Sequence, residues 1–424
     1  MQRTPVYIVG MGVVSSLGNT VEGMWQNLLK GVSGVGLNTF HTYRRAVGEL
    51  SPAFDALKEL VTAEAKEFNP LDWMDRKMIR REDPFCWFAL AAAVQAMKQA
   101  NFSILPDMRN RTGVVIGTGI GGLMTLEEEH TRMLEKGPDR VSPFLVTRLI
   151  ANGATSIVAR HFNANGPAIT PISACATGAD AIGQGLHLIR SGEADVVIAG
   201  GTEAAVTPLA LSGFRNMEAL AKRNDNPTQR SRPFDRDRDG FVLSEGAGIV
   251  VLTSRAFAEY HGLTPIVEVA GHGQTQDSHH ITAPHPEGLH ASRAIQFALA
   301  DARITPDEVV YINPHGTSTP TNDPIETLAI RRVFGKYTPS IPLSSSKAML
   351  GHMMGAAGAV EAIICAMTLR DGLAHPSVNL DNVDEKCTGL GHIFDKPQKI
   401  RPGAAVSTSL GFGGANSALV FLPV

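Results

Sequence analysis

A disulfide framework is absent from this sequence. Its four cysteines, Cys86, Cys175, Cys365 and Cys387, lie far apart and form no CxxC pair, which suits a reducing compartment. No apolar run approaches the roughly 20 residues that a membrane-spanning helix needs. Strong net charge is missing too. A balance of −3 over 424 residues gives no global pull toward nucleic acid or membrane, so any basic contact surface must be local. Met1-Gln2-Arg3-Thr4-Pro5 passes straight into a strand pattern, so no secretory leader is expected and the chain reads as soluble and cytoplasmic. With 43% hydrophobic and 19% charged residues it has an ordinary globular composition, and its length suits two domains or one large double domain.

The stretch that organises the rest is Pro171-Ile172-Ser173-Ala174-Cys175-Ala176-Thr177-Gly178. Ala168, Ile169 and Ile172 predict a strand approaching the cysteine. Beyond it Ala179, Ile182, Leu186 and Ile189 recur at helical spacing until Ser191-Gly192 stops the helix. Cys175 is therefore expected at a strand-to-helix turn, where unpaired N–H groups and the helix dipole favour an anion. Such a place can lower a thiol pKa to roughly 3.5–7.5, so a thiolate near neutral pH is expected. Ala174, Ala176 and Gly178 leave room for a substrate. The competing reading is a buried cysteine acting as a small hydrophobe.

Several other signals resolve to nothing. Gly117-Thr118-Gly119-Ile120-Gly121-Gly122 satisfies GxGxxG after a strand, yet Glu127 to Glu129 fall in a helix pattern rather than at a second strand end. A nicotinamide or flavin site is not expected; a glycine-rich turn lining a channel is. Asp235-Arg236-Asp237-Arg238-Asp239-Gly240 imitates a calcium loop, but Gly246 occupies the twelfth position and arginines interrupt the acids. His279, His280, His285 and His290 invite a metal, yet Pro284 and Pro286 break any helical ligand spacing, so loop histidines are expected and no metal.

The opening pattern, a strand Val6 to Val9 ending at Gly10-Met11-Gly12, precedes a helix around Val21 to Leu29 and a buried, alanine-rich helix from Phe85 to Ala100. A strand over Ala194 to Ala199 ends at Gly200-Gly201-Thr202-Glu203. In the second half, Val309 to Ile312 leads to Asn313-Pro314-His315-Gly316-Thr317-Ser318-Thr319, and Ile341 to Leu343 leads to Ser346-Lys347 and Gly351-His352. An alanine-rich helix follows over Gly355 to Leu369. The repeated strand, polar turn and helix predict two related α/β halves, residues 1–260 and 261–424, with ligand-binding groups at strand ends. A last glycine turn, Gly411-Phe412-Gly413-Gly414, lets backbone N–H groups approach a ligand. One thiol, two histidines and one lysine suit a decarboxylating carbon–carbon condensation better than hydrolysis: imidazoles can stabilise an enolate while the thiol carries an acyl group.

These motifs, with Ser231-Arg232-Pro233-Phe234-Asp235 and Arg238-Asp239-Gly240-Phe241 between them, occur in an order that resembles the β-ketoacyl-acyl-carrier-protein synthases of the thiolase superfamily, the synthase II type above all. The likeness spans nearly the whole chain. It implies a five-layered αβαβα thiolase-like fold, a homodimer, acyl carrier protein as partner, and no cofactor beyond the carrier's phosphopantetheine. It also implies roles. Cys175 accepts the acyl group; His315 and His352 stabilise the malonyl enolate; Lys347 holds the histidines electrostatically, with Glu361 anchoring that network. The N–H groups of Cys175 and Phe412 form an oxyanion hole, and the Phe412 side chain gates the site. Thr317 and Thr319 bind the pantetheine arm, His280 lies near the channel mouth, and Ile120 limits the acyl pocket. Lys77, Arg80 and Arg81, with Arg223, dock the acidic carrier.

Two residues depart from that pattern: Leu410 stands where relatives commonly have phenylalanine, and Ala415 replaces a usual threonine. Neither removes a catalytic group. A polyketide or aryl-polyene ketosynthase would use the same residues. A degradative thiolase is disfavoured because Phe412 lies in the turn where its second cysteine is expected, and a noncatalytic partner subunit because Cys175 is present.

Overall fold

The computed structural model describes residues 4–222 and 226–424, and its main feature is an 11-stranded sheet. Ten of those strands form two sets. The first holds β1 (Val6–Val14), β2 (Thr112–Gly117), β3 (Ala168–Ile169), β4 (Val196–Glu203) and β5 (Gly246–Ser254). The second holds β6 (Val267–Gln276), β7 (Val309–Asn313), β8 (Pro342–Leu343), β9 (Ala404–Gly411) and β10 (Ala415–Leu422). Across the sheet the first set runs β3-β2-β4-β5-β1 and the second β8-β7-β9-β10-β6. Reading each set in that direction, two parallel pairings precede two antiparallel ones. The order and the directions repeat. The sets join where β1 pairs β6 over only two residue pairs, Tyr7 with Glu268 and Ile8 with Val267.

Six helices complete the layers: α1 (Pro84–Gln99), α2 (Gly153–Phe162), α3 (Thr177–Arg190), α4 (Leu289–Ala302), α5 (Asn322–Phe334) and α6 (Ala357–Asp371). Helices α1 and α2 cover the outer face of the first set, and α4, with α5 against it, covers the second. Helices α3 and α6 lie between the two sets and touch both. This is the αβαβα order of a thiolase-like fold. Helix α6 is buried from Ala357 through Thr368, as a helix apolar on every side must be. Helix α3 buries Ile182, Leu186 and Ile189, each worth about 1.5–3 kcal/mol relative to exposure. Small residues set how closely these layers approach. A Cβ on Gly178 would lie 2.6 Å from the Ala359 nitrogen, so α3 and α6 meet through their first turns.

Three expectations need correction. The first strand does not stop at Gly10-Met11-Gly12; it continues to Val14. Those glycines serve packing, because a Cβ at either would collide with the Ala96 or Ala92 carbonyl oxygen of α1. Conversely, the strand before Cys175 ends at Ile169, and residues 170–173 are irregular. Pro171, with no N–H to donate, suits that break. The helix predicted from Gly355 begins as a 3₁₀ turn, Met354–Ala356, and runs on to Asp371.

Candidate active site

Cys175 occupies a 3₁₀ turn, Ala174–Ala176, that feeds directly into α3. Its predecessor Ala174 has φ 49°, a left-handed conformation costly for a residue with a Cβ. The turn before α6 repeats this, with Met354 at φ 48°. The two turns lie close together, and the second carries His352 just upstream. His352 is held by its backbone: its N–H donates to the Val242 carbonyl at 2.7 Å, and its carbonyl accepts from Ser244 at 3.0 Å.

His315 reaches the same point from the end of β7. Carboxylates at the start of α5 clasp its loop. Glu326 accepts the N–H groups of His315 (2.6 Å) and Gly316 (2.7 Å), and Asp323 accepts those of Thr317 (3.1 Å) and Ser318 (3.2 Å). Thr408 on β9 ties Glu326 to the sheet at 2.7 Å. The Cys175 sulfur and nitrogens of His315 and His352 all fall within 4.8 Å of one another, and all three residues are buried. The imidazole rings meet edge to face, 5.2 Å apart.

The far nitrogens decide what these rings can do. His352 Nδ1 accepts the Met354 N–H at 3.3 Å, and His315 Nδ1 faces the Lys347 Nζ at 3.4 Å. An ammonium has no lone pair to offer, so Nδ1 is the acceptor on both rings and the proton of each neutral ring sits on Nε2. Burial, followed by the Lys347 charge, holds both imidazoles well below the usual histidine range, so both are neutral at physiological pH. Two N–H donors therefore converge beside one thiol. The same geometry opposes a metal: a ligating imidazole needs a bare nitrogen and a carboxylate or carbonyl behind it, whereas here the rear partners are donors.

Lys347 and Glu361 form a buried ion pair behind His315. Burial pushes the Glu361 carboxyl up to about 7, against the pull of Lys347. For Cys175 the thiolate expectation is corrected. Burial pushes its thiol up to about 11, outweighing the Phe412 N–H and Lys347 charge that pull it down. The sulfur does lie at a helix start, but its burial raises the cost of the anion there. The resting group is a thiol.

A cavity of about 220 Å³ opens onto these residues. Cys175, His315, His352, Thr317, Thr319 and Phe412 all line it. The two threonine hydroxyls are 3.0 Å apart, and Phe412 is the side chain between this cavity and a second, shallow groove bordered by Ile172 and Ala415. Leu410 lines the cavity while packing on Ala291 and Ala329 of α4 and α5; a larger side chain there would press on two helices. The Phe412 turn is tied down: Gly413 N–H donates to the Ile281 carbonyl (2.8 Å), and Asn416 donates to Asp277 (2.8 Å).

Other predicted residues stand apart. Ile120 is 40% exposed and does not line the cavity. His280 is exposed; its Nδ1 accepts the Thr282 and Ala283 N–H groups and so shapes the loop whose Thr282, Ala283 and Pro284 form the cavity wall. Lys77, Arg80 and Arg81 are exposed on and after a short helix, Arg76–Ile79, with the Arg81 guanidinium 5.1 Å over the Phe144 ring. Arg223 lies outside the described residues. Among the described residues, the loop histidines form no group of metal-ligand spacing; His279 and His290 pack against His285 at 5.4 Å between ring centres. The Asp235 loop is structural: its carboxylate accepts the N–H groups of Asp237, Asp381 and Asn382 and pairs with Arg232.

Sequence reasoning missed Asp323, Glu326 and Glu203. The first two carry a legible signal, acids three residues apart at the start of a helix after a glycine-bounded loop, which places them on one face toward that loop. Glu203 ends an apolar strand, and its only sequence signal is an acid where a strand should still be buried.

Comparison with known proteins agrees along the whole chain. The family described as "Beta-ketoacyl synthase, N-terminal domain" matches residues 3–258, and "Beta-ketoacyl synthase, C-terminal domain" matches residues 266–381. The 3-oxoacyl-[acyl-carrier-protein] synthase 2 of Synechocystis sp. is 41% identical, over 99% of this chain and 98% of that protein. The protein of the same name from Staphylococcus aureus is 42% identical, over 99% and 98%. Among solved structures, a type II polyketide ketosynthase bound to the hexaketide, in complex with its acyl-carrier protein, superposes with TM-score 0.89 at 31% identity, covering 100% of both chains. A β-ketoacyl synthase from Burkholderia phymatum gives 0.89 at 30%, covering 99% and 100%.

Proposed function

This chain belongs to the β-ketoacyl synthase family, and from that premise we propose that it condenses a Cys175-bound acyl group with malonyl-acyl carrier protein in fatty acid elongation. The product is a β-ketoacyl carrier protein longer by two carbons, released with CO2. The observation that carries this reading is the pair of neutral imidazoles presenting Nε2–H groups beside a single thiol. In the first half-reaction the Cys175 sulfur attacks the acyl thioester, and its proton leaves with the pantetheine thiol. The tetrahedral oxyanion sits against backbone N–H groups of Cys175 and Phe412. In the second, the malonyl thioester oxygen accepts from His315 and His352. The C–CO2 bond breaks and its electron pair becomes the enolate, whose negative oxygen the two donors stabilise. The enolate carbon then attacks the acyl carbon, the C–S bond to Cys175 breaks, and the thiolate takes a proton from solvent, replacing the one that left with the pantetheine thiol. Neutral donors suit this sequence, because an imidazolium would hold the enolate too tightly and would acidify the site.

Thr317 and Thr319 line the channel as hydrogen-bonding groups for the pantetheine arm, and Phe412 gates it. Ile120 is assigned to the acyl pocket on the premise that a second copy closes over its exposed face. Support for a homodimer is the apolar surface at Leu134 (71% exposed), Val146 (65%) and Ile172 (60%), together with β3 at the sheet edge. The carrier docks on Lys77, Arg80, Arg81 and Arg223, and no cofactor resides on the synthase. Residues 1–260 form the half with the nucleophile and 261–424 the half with the histidines, a division supported by the repeated strand order. No helix among the described residues is long and apolar enough to cross a membrane.

A polyketide role is the second reading, favoured by the structural neighbour bound to a hexaketide. The higher identity to synthase 2 proteins argues for fatty acid service. Intact-protein mass spectrometry decides between them. Incubation with acyl carriers of several chain lengths should leave an acyl adduct that Cys175→Ala abolishes, and malonyl carrier should convert it to a two-carbon-extended product. Absence of any adduct on folded protein would overturn the enzymatic reading.

A further inference from the structure

Glu203 is a buried carboxylate at the end of β4, and it collects donors from both halves of the molecule. Its Oε2 accepts the N–H of Gly119 at 2.7 Å and that of Gly355 at 3.0 Å. Its Oε1 accepts the Thr118 hydroxyl at 2.9 Å and the Ile120 N–H at 3.3 Å. Gly119 and Gly355 have no room for a side chain, because a Cβ on either would reach this carboxylate, at 2.6 Å and 2.9 Å. Gly355 follows Met354, whose N–H fixes His352 Nδ1. One carboxylate thus links the Ile120 turn and the His352 turn to the end of β4, which packs on the first turn of α3 just past Cys175: a Cβ on Gly201 would lie 3.0 Å from the Gly178 Cα.

We infer that Glu203 is a positioning residue: it clamps the Gly355 turn so that His352 presents its Nε2–H to the substrate, and it sets the field at Cys175. No other side chain among the described residues accepts from both glycine turns. Burial pushes the Glu203 carboxyl up to about 7, and its charge is one of the influences that raise the Cys175 thiol. The part concerning His352 rests on the condensing function proposed above; the part concerning Cys175 does not.

Glu203→Gln is nearly isosteric, but its carboxamide turns one accepting oxygen into a donor that faces an N–H. Glu203→Asp keeps the charge and shortens the reach. Two readouts are taken on protein shown folded by circular dichroism: the pH dependence of Cys175 alkylation by iodoacetamide, and malonyl-carrier decarboxylation. Glu203→Gln should move the alkylation midpoint down, since a repelling charge is gone, while Glu203→Asp should leave it in place. Both should slow decarboxylation by roughly tenfold or more, as a misaligned donor does. An unmoved midpoint in folded Glu203→Gln, or full decarboxylation in both variants, would overturn the inference. If the wild-type protein condenses nothing, the proposed function falls, yet the alkylation shift still tests Glu203.

Discussion

Replacing Lys347 by methionine separates two tasks that one ammonium performs. Lys347 is 2% exposed at its side chain and Glu361 3%, so the substitution strands a buried carboxylate. Breaking such a pair costs about 3–5 kcal/mol when the remaining charge persists. Glu361 has an escape, because burial already holds its carboxyl at about 7 with Lys347 in place, and higher without it. The sign follows. A carboxyl raised in the folded state takes up a proton in mildly acidic buffer, so the stability loss of Lys347→Met should be small at pH 6 and should grow toward pH 9, by at most about 1.4 kcal/mol per pH unit. The catalytic loss has another origin. Without the ammonium at 3.4 Å, His315 Nδ1 no longer has a donor behind it, and the ring is free to place its proton on the wrong nitrogen. Losing one preorganised donor costs roughly 10²–10³ in rate. Urea denaturation at pH 6 and pH 9, with malonyl-carrier decarboxylation measured beside it, distinguishes the two. The double variant Lys347→Met/Glu361→Gln should regain stability at pH 9 and remain slow. Decarboxylation within threefold of wild type in the single variant, or its recovery in the double, would refute the claim that Lys347 sets the His315 tautomer.

Two further outcomes follow from the same geometry. His352→Ala should slow decarboxylation by roughly 10²–10³ while acyl transfer to Cys175, read by intact mass, stays within about tenfold, since the ring donates to the enolate oxygen and not to the acyl oxyanion; equal losses in both steps would contradict that division. Glu245 is buried with Oε2 unpartnered, and burial pushes its carboxyl up to about 8. Because that carboxyl is raised, its stabilising share is intact in acid and is lost as pH climbs through about 8. Glu245→Gln should therefore gain in Tm over wild type between pH 5 and pH 9; a constant difference across that range would show that Glu245 does not titrate in the fold.

Much of this molecule was written locally. The periodicity of Ala179, Ile182, Leu186 and Ile189, the stop at Ser191-Gly192, and the order of strand, polar turn and helix announced the repeated α/β halves, because side-chain spacing and turn chemistry act over a few residues. Cys175, His315, Lys347, His352 and Phe412 stood out for the same reason: reactive side chains flanked by small residues at strand ends. Tertiary structure alone decided the rest. Gly10 and Gly12 read as the end of a strand until the α1 carbonyls showed that they permit packing. Glu203 became legible only when chain crossings brought the backbone N–H groups of Gly119 and Gly355 from distant segments onto it. The helix start beside Cys175 was predictable, but its protonation was not. Burial depends on every layer that closes over the sulfur, and in this fold that burial outweighs the local donors.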